Sequence, residues 1–312
     1  MPMPDDRRNA TGLPESLTWP TRDFARNLRR DTASLFVVRS LSIIRRTSIM
    51  KTLTQLVPRL KPLFARRAVR QQTDHDTLQC TVAYNRYGGY CVPLSSRHRP
   101  AAKKILANKV YEPLTLAFMR QNCGDGDVVH AGTYFGDFLP ALSSALSPSG
   151  KIWAFEPNPE NHRCARITLE INGIDNVWLT HAGLGAAPDE MPMQTVDASG
   201  RALGGASRLT TEPQRESTQV KIVAIDDVLD RDRRVSIIQL DVEGHEKEAL
   251  SGALQTIKTH LPIIILEVLP QSTLTESDWF SSNILALGYV HVGNVHGNSI
   301  FSCDNHENSA RS

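Results

Sequence analysis

Asp241, Glu243, His245 and Glu246 fall within six residues of one another in the stretch "QLDVEGHE". Carboxylates and an imidazole at this density can orient a hydroxyl group and take its proton, the work of a general base. Taken singly they have plainer explanations, Glu243 as a helix cap and His245 as a surface residue. The group follows the apolar run "SIIQL" and precedes the periodic stretch "EKEALSGALQTI". That places it at the carboxyl end of a strand, where open parallel sheets bind their ligands.

A second candidate loop lies upstream in "VVHAGTYFG". Gly132 and Gly136 let the backbone turn sharply and approach a ligand, and the helix expected after them offers free N–H groups. Glu156 stands twenty residues after Gly136 at the end of the next strand. A carboxylate in that position commonly accepts hydrogen bonds from a ribose diol. The same residues are also consistent with a tight turn and a helix cap. If the ligand is an adenosine compound, the spacing selects among such compounds. A dinucleotide needs G-x-G-x-x-G to seat its pyrophosphate on the helix N-terminus, whereas Thr133, Tyr134 and Phe135 fill a G-x-x-x-G here. Those side chains crowd out a pyrophosphate and suit a sulfonium with an amino-acid tail, as in S-adenosylmethionine. His130 precedes the loop where sites of this kind often carry an acid; a neutral imidazole accepts one hydrogen bond and donates another.

The scaffold that positions these loops is readable as alternating strands and helices. "VVHA", "KIWAF", "NVWLTHA", "VKIVAI", "SIIQL" and "LPIIILEV" read as strands, and "YVHVGNVHGNSIFSC" as a closing hairpin. The helix after Gly136 should present Phe138, Leu142, Ala145 and Leu146 on one face. "EPNPENHRCARITLEING" should form a helix with Asn158 as cap, Pro159 in the first turn and an end at Asn172-Gly173. Residues 185–217, rich in Gly, Pro and polar side chains, read as an insertion with a short strand or two. The expectation is an α/β fold with a doubly wound, mostly parallel sheet and an antiparallel edge hairpin. Residues 76–308 would form the catalytic domain, with 76–125 as lead-in and 126–308 as core, after an N-terminal extension over 1–75.

Composition sets further bounds. The net charge of +2 hides a division: residues 1–70 hold fifteen Lys and Arg against five Asp and Glu, leaving twenty and twenty-eight for the remainder. The basic head is expected to be flexible or partly helical, with weak membrane-surface or polyanion contact as a second use. Met50 is an alternative natural start. Five scattered cysteines without a C-x-x-C imply a reduced compartment and no metal site. The longest apolar run in the head, "LFVV", is too short for a membrane span, so a cytoplasmic protein is expected. An acidic body and the lack of an N/D-P-P-[YFW] motif argue against a nucleic-acid acceptor.

Four stretches in order, "VVHAGTYFG", "WAFEPNPEN", "VAIDDVL" with "IIQLDVEGHEKEALSGA", and "LPIIILEV", resemble the FkbM-like methyltransferases. The resemblance implies a class I, Rossmann-like S-adenosylmethionine-dependent fold that methylates a hydroxyl of a sugar, glycan or secondary metabolite. By position it implies that Gly132, Tyr134 and Gly136 line the methionine end of the cofactor. Glu156 would hold the ribose, Pro157 and Gly183 would lie near the adenine, and Asp241, Glu243 and His245 would face the acceptor. Within that reading His245 or Glu243 is the preferred base, Asp241 orients, and His181 is a rival. His130 departs from the Asp usual there. A nucleotide-dependent oxidoreductase and a non-catalytic cofactor binder are the competing readings.

Overall fold

The strands that carry the site are fully buried. In the computed structural model, which describes residues 77–212 and 217–303, β3 (Asp127–Ala131) and β10 (Val235–Leu240) are buried along their whole length. Strands covered on both faces need no polar alternation, and Val128–Val129 and Ile237–Ile238 stand next to each other in these two. The extension over residues 1–75 and its proposed contacts lie outside the described residues.

Seven strands form the central sheet in the order β12-β13-β11-β10-β3-β4-β5, where β4 is Ile152–Phe155, β5 Val177–Thr180 and β11 Ile263–Glu267. The five strands from β5 to β11 run parallel to their neighbours. At the edge, β13 (Asn298–Cys303) is antiparallel to β11, and β12 (Tyr289–Val295) is antiparallel to β13. The chain leaves β3 toward β4 and β5 and returns to build β10 and β11 on the other side. The crevice between the carboxyl ends of β3 and β10 is therefore the topological switch point, where such sheets bind ligands. This is the expected doubly wound sheet with its antiparallel edge hairpin.

The helices differ more from expectation. Of the helix expected after Gly136, only α3 (Leu139–Ser143) is regular, although Phe138 and Leu142 pack inward as the periodicity required. The lead-in stretch of helical texture divides into α1 (Pro100–Leu106) and α2 (Pro113–Asn122), because Asn108 and Glu112 take left-handed backbone and Pro113 restarts the helix. The hairpin of β1 (Cys80–Asn85) and β2 (Gly88–Pro93) precedes them and packs on α4 (Pro159–Asn172). Two polar side chains fix that contact. Asn172 bonds both the N–H and the C=O of Gly89, at 2.9 and 2.7 Å, and Thr168 accepts from Cys91 N–H at 3.0 Å while donating to Phe135 C=O at 2.8 Å.

"VKIVAI" does not join the central sheet. As β9 (Ser217–Val223) it pairs with β6 (Gly183–Leu184) and β7 (Asp189–Gln194) in a separate four-stranded sheet completed by β8 (Arg208–Leu209). Its alternation explains this: Val220 and Ile222 turn inward while Lys221 is exposed, the mark of a half-covered strand. The insertion from Gly185 onward supplies β7, β8 and a 3-10 turn at Gly204–Ala206.

Candidate cofactor and acceptor site

The glycine loop is held open by close backbone packing. Gly132 has φ +83°, and a Cβ there would come within 2.0 Å of the Asp241 carbonyl oxygen, so hydrogen is the only substituent that fits. Tyr134 is left-handed as well, at φ +53°, an unusual state for a bulky residue. It is tied at both ends. Its N–H donates to Glu156 Oε2 at 2.7 Å, and its hydroxyl bonds Ser96 Oγ at 2.6 Å. Gly136, also at φ +83°, faces Leu139 and the Ala165 and Thr168 turn of α4.

Glu156 joins this loop to the next helix. Its other oxygen accepts from Asn158 N–H at 2.8 Å, and Asn158 in turn caps α4 by accepting from the N–H groups of Glu160 and Asn161. Burial pushes the Glu156 carboxyl up to about 8, against the pull of these donors. Asn158 and Asn161 reach across to the insertion, donating to Ser207 Oγ at 3.0 Å and Gly204 C=O at 3.1 Å.

Two cavities open at the carboxyl ends of the strands. The smaller, about 450 Å³, is mostly apolar and is walled by Phe155, Glu156, Pro157, Gly183, Leu184 and Met193 among others. The larger, about 860 Å³, is faced by five acids, Glu112, Asp137, Asp241, Glu243 and Glu267, with Arg99 as its one basic side chain among the described residues. Gly132, Gly205 and Asp241 line both, so the glycine loop and the end of β10 form the junction. The 3-10 turn from the insertion closes the top: a Cβ on Gly204 would meet Ser96 Cβ at 2.6 Å and the Tyr134 hydroxyl at 2.8 Å.

His130 projects into the larger cavity. It is 3% exposed, stacks on Phe138 and bonds Gln239 Oε1 through Nδ1. That bond places the proton on Nδ1 and leaves Nε2 as a bare acceptor, and Nε2 is buried without a protein partner. Burial pulls the imidazole down to about 4, so it is neutral at pH 7. Arg99 Nε is a buried donor without a protein partner on the same cavity. The acids respond to one another as well. Burial, reinforced by Glu112, pushes Asp137 up to about 7, and burial followed by the neighbouring charge of Glu267 raises Glu243.

The structure brings His130, Gly132, Tyr134, Asp241 and Glu243 to the larger cavity, and Glu156, Pro157 and Gly183 to the smaller one. Four residues singled out from sequence are placed elsewhere. His245 lines neither cavity, because it stands at the start of α5 (Glu246–Ser251) with its ring toward Glu248, 3.8 Å away, and Gly185. Gly136 allows α4 to approach and does not line a cavity. His181 is exposed, stacks on His162 and bonds Pro157 C=O at 3.1 Å. Glu246 turns back to accept from Gly244 N–H at 3.0 Å. Glu267, Glu112 and Asp137 were not singled out from sequence; the signal for Glu267 was a lone acid closing the apolar run "IIILE". Among the described residues no group of three His, Cys, Asp or Glu could hold a metal ion, and no helix is long and apolar enough to cross a membrane.

A bound S-adenosylmethionine has an apolar adenosine end and a zwitterionic amino-acid end. The cavities match this division: the smaller is apolar, and the larger offers an unpartnered acceptor, His130 Nε2, and an unpartnered donor, Arg99 Nε. The sheet order is that of a class I, Rossmann-like α/β fold. Residues 130–283, just under half of the chain, match the family model described as the methyltransferase FkbM domain. Among solved structures it is similar to the methyltransferase FkbM from Methylobacillus flagellatus KT, with 19% identity and a TM-score of 0.42 over 57% of this chain and 43% of that one. It thus spans less than half the length of that protein. It is also similar to a precorrin-6y C5,15-methyltransferase from Geobacter metallireducens GS-15, with 18% identity and a TM-score of 0.37 over 66% of this chain and 93% of that one. A third is a SAM-dependent methyltransferase from Aquifex aeolicus, with 15% identity and a TM-score of 0.35 over 65% and 92% of the two chains. No curated protein matches the chain.

Proposed function

We propose that the protein transfers a methyl group from S-adenosylmethionine to a hydroxyl oxygen of a sugar, glycan or secondary metabolite. The observation that carries this reading is the pair of cavities meeting at Gly132 and Asp241 on the switch point of the sheet. In this reading the adenosine lies against Phe155, Glu156, Pro157 and Gly183, with the Glu156 carboxyl group toward the ribose. Arg99 and His130 hold the carboxylate and ammonium of the methionine end. When bound, the cofactor supplies an electrophilic methyl on a positively charged sulfur.

The protein's own contribution is alignment. The acids of the larger cavity are hydrogen-bond acceptors for a polyhydroxylated acceptor molecule, and they fix one hydroxyl toward the junction. Orientation of this kind is worth on the order of 7 to 11 kcal/mol in well-aligned systems, and a positioned base adds roughly a hundred- to ten-thousand-fold.

Thermal unfolding with S-adenosylhomocysteine and with NAD tests the reading. A ligand at a hundredfold its Kd stabilises by about 2.7 kcal/mol, so S-adenosylhomocysteine should raise Tm by several degrees while NAD leaves it unchanged. Stabilisation by NAD alone would replace the proposal with an oxidoreductase. Binding of S-adenosylhomocysteine without transfer of labelled methyl to any of a panel of monosaccharides and polyols would favour a non-catalytic binder.

A further inference from the structure

Glu267 belongs to the reacting centre by its register. Leu240 of β10 pairs with Leu266 of β11, so Asp241 and Glu267, the next residues on these parallel strands, leave the sheet side by side. Both line the larger cavity, and after burial the neighbouring Glu267 is what raises the Asp241 carboxyl well above its ordinary value. Neither group can donate to the other unless one keeps its proton. Asp241 also lines the smaller cavity and packs its backbone against Gly132, which puts the pair at the junction of the two. That the larger cavity takes a ligand rests on a separate observation, the buried and unpartnered Nε2 of His130 on its wall.

The groups around the pair are known. Glu243 follows on the same loop, Glu112 and Tyr111 approach from the start of α2, and Asp137 comes from the glycine loop; Arg99 and neutral His130 complete the wall. Glu112 is held by Asn298 of β13, whose amide donates to it at 2.9 Å. Burial first, and then the surplus of acids, pushes Asp241 toward its protonated form.

Resting on the methyl-transfer reading above, we propose that Asp241 and Glu267 act as one unit, a proton-sharing carboxyl pair that is the base of the reaction. At rest the pair holds one proton. It gives that proton to solvent on binding of the cationic donor, whose sulfonium charge compensates a doubly ionised pair. As the acceptor oxygen bonds to the methyl carbon, the carbon–sulfur bond breaks with its electrons on sulfur, and the hydroxyl proton passes into the position shared by the two carboxylates. The products are the methyl ether, a neutral thioether and the pair in its resting state, so each turnover closes the proton cycle.

Two measurements on the full chain test this. In the first, Asp and Glu carboxyl carbons are labelled with carbon-13 and titrated by NMR without cofactor, with Asp241→Asn and Glu267→Gln to assign the signals. Both signals should respond together in two steps. In each variant the remaining carboxyl should titrate once, below the upper step of the pair. Independent titration of both groups in the ordinary carboxyl range overturns the proposal. The second is calorimetry in buffers of different ionisation heat, comparing S-adenosylmethionine with S-adenosylhomocysteine, which lacks the sulfonium charge. At about pH 6.5 the first should release more protons than the second, and Glu267→Gln should abolish the difference. Equal release in the wild type overturns the proposal. Failure of both ligands to bind overturns the methyl-transfer reading instead, and the carbon-13 titration then decides the pair alone.

Discussion

His130 illustrates how a single residue can be read for type from sequence and for role only from its surroundings. An acid at this position would add a sixth carboxyl to a cavity already faced by five. The imidazole instead provides a neutral acceptor, kept neutral by burial and oriented by Gln239 on the adjacent strand, to which it is directly paired in register. Its partner could not be seen in the sequence because Gln239 lies 109 residues away. The role assigned to Nε2 makes a specific prediction. His130→Phe keeps an aromatic ring stacked on Phe138 and removes the acceptor. A hydrogen bond to a charged group contributes about 1.5 to 3 kcal/mol, so the Kd for S-adenosylhomocysteine measured by calorimetry should rise by roughly ten- to a hundredfold. Gln239 loses its partner too, so a fall in Tm is expected, but cofactor-saturated protein should remain folded. An unchanged Kd would remove His130 from the cofactor site.

At the scale of elements, α4 was fully legible and the insertion was not. The helix carries its own boundary signals: Asn158 caps it, Pro159 opens it, and Gly173 closes it in a left-handed turn at φ +62°. All three act within a few residues and owe nothing to the tertiary fold. The insertion has no such local code. Its strands are defined by partners, β7 by β9 and β8 by β7, and its Gly204–Ala206 turn gains meaning only where Ser96, Tyr134 and Asn161 meet it. Asn158 links the legible element to the illegible one, since its carbonyl oxygen caps the helix and its amide holds Ser207. Asn158→Ala should therefore cost more than an isolated cap, which contributes about 1 kcal/mol, by adding the loss of the loop tie. We expect a destabilisation of about 1 to 3 kcal/mol in urea unfolding, together with weaker S-adenosylhomocysteine binding. Asn158→Asp keeps the capping oxygen but not the amide, and should restore most of the stability while leaving binding impaired. Wild-type stability and binding in Asn158→Asp would show that the loop tie contributes nothing.

For the whole molecule, the sheet followed from the sequence because continuous branched runs admit few other arrangements, whereas the meeting of Asp241 with Glu267 depended on the register between two strands. Concentrating acids at one end of that sheet has a consequence for stability. Glu156 rises from 4.5 to about 8 and Asp137 from 3.8 to about 7, both chiefly through burial, and Asp241 is raised well above its ordinary value by loss of water and by Glu267. A group whose folded pKa is raised keeps in the folded state a proton that the unfolded chain releases. Stability is then lost as pH climbs from the unfolded value through the folded one, between 4.5 and about 8 for Glu156 and between 3.8 and about 7 for Asp137. His130 has the opposite sign: lowered from 6.5 to about 4, it removes stability as pH falls across that range. Below 6.5 the two effects oppose each other and the profile should be shallow. Above 6.5 the imidazole is neutral in both states and only the acids act. Thermal unfolding of the cofactor-free protein should accordingly show Tm declining steadily from about pH 6.5 to about pH 8, and Glu156→Gln should reduce that slope because a group that titrates in this window is gone. A Tm that is flat or rising across this window would mean that the acids at the mouth of the sheet are ionised in the free protein, and that the cavity is wetter than its walls imply.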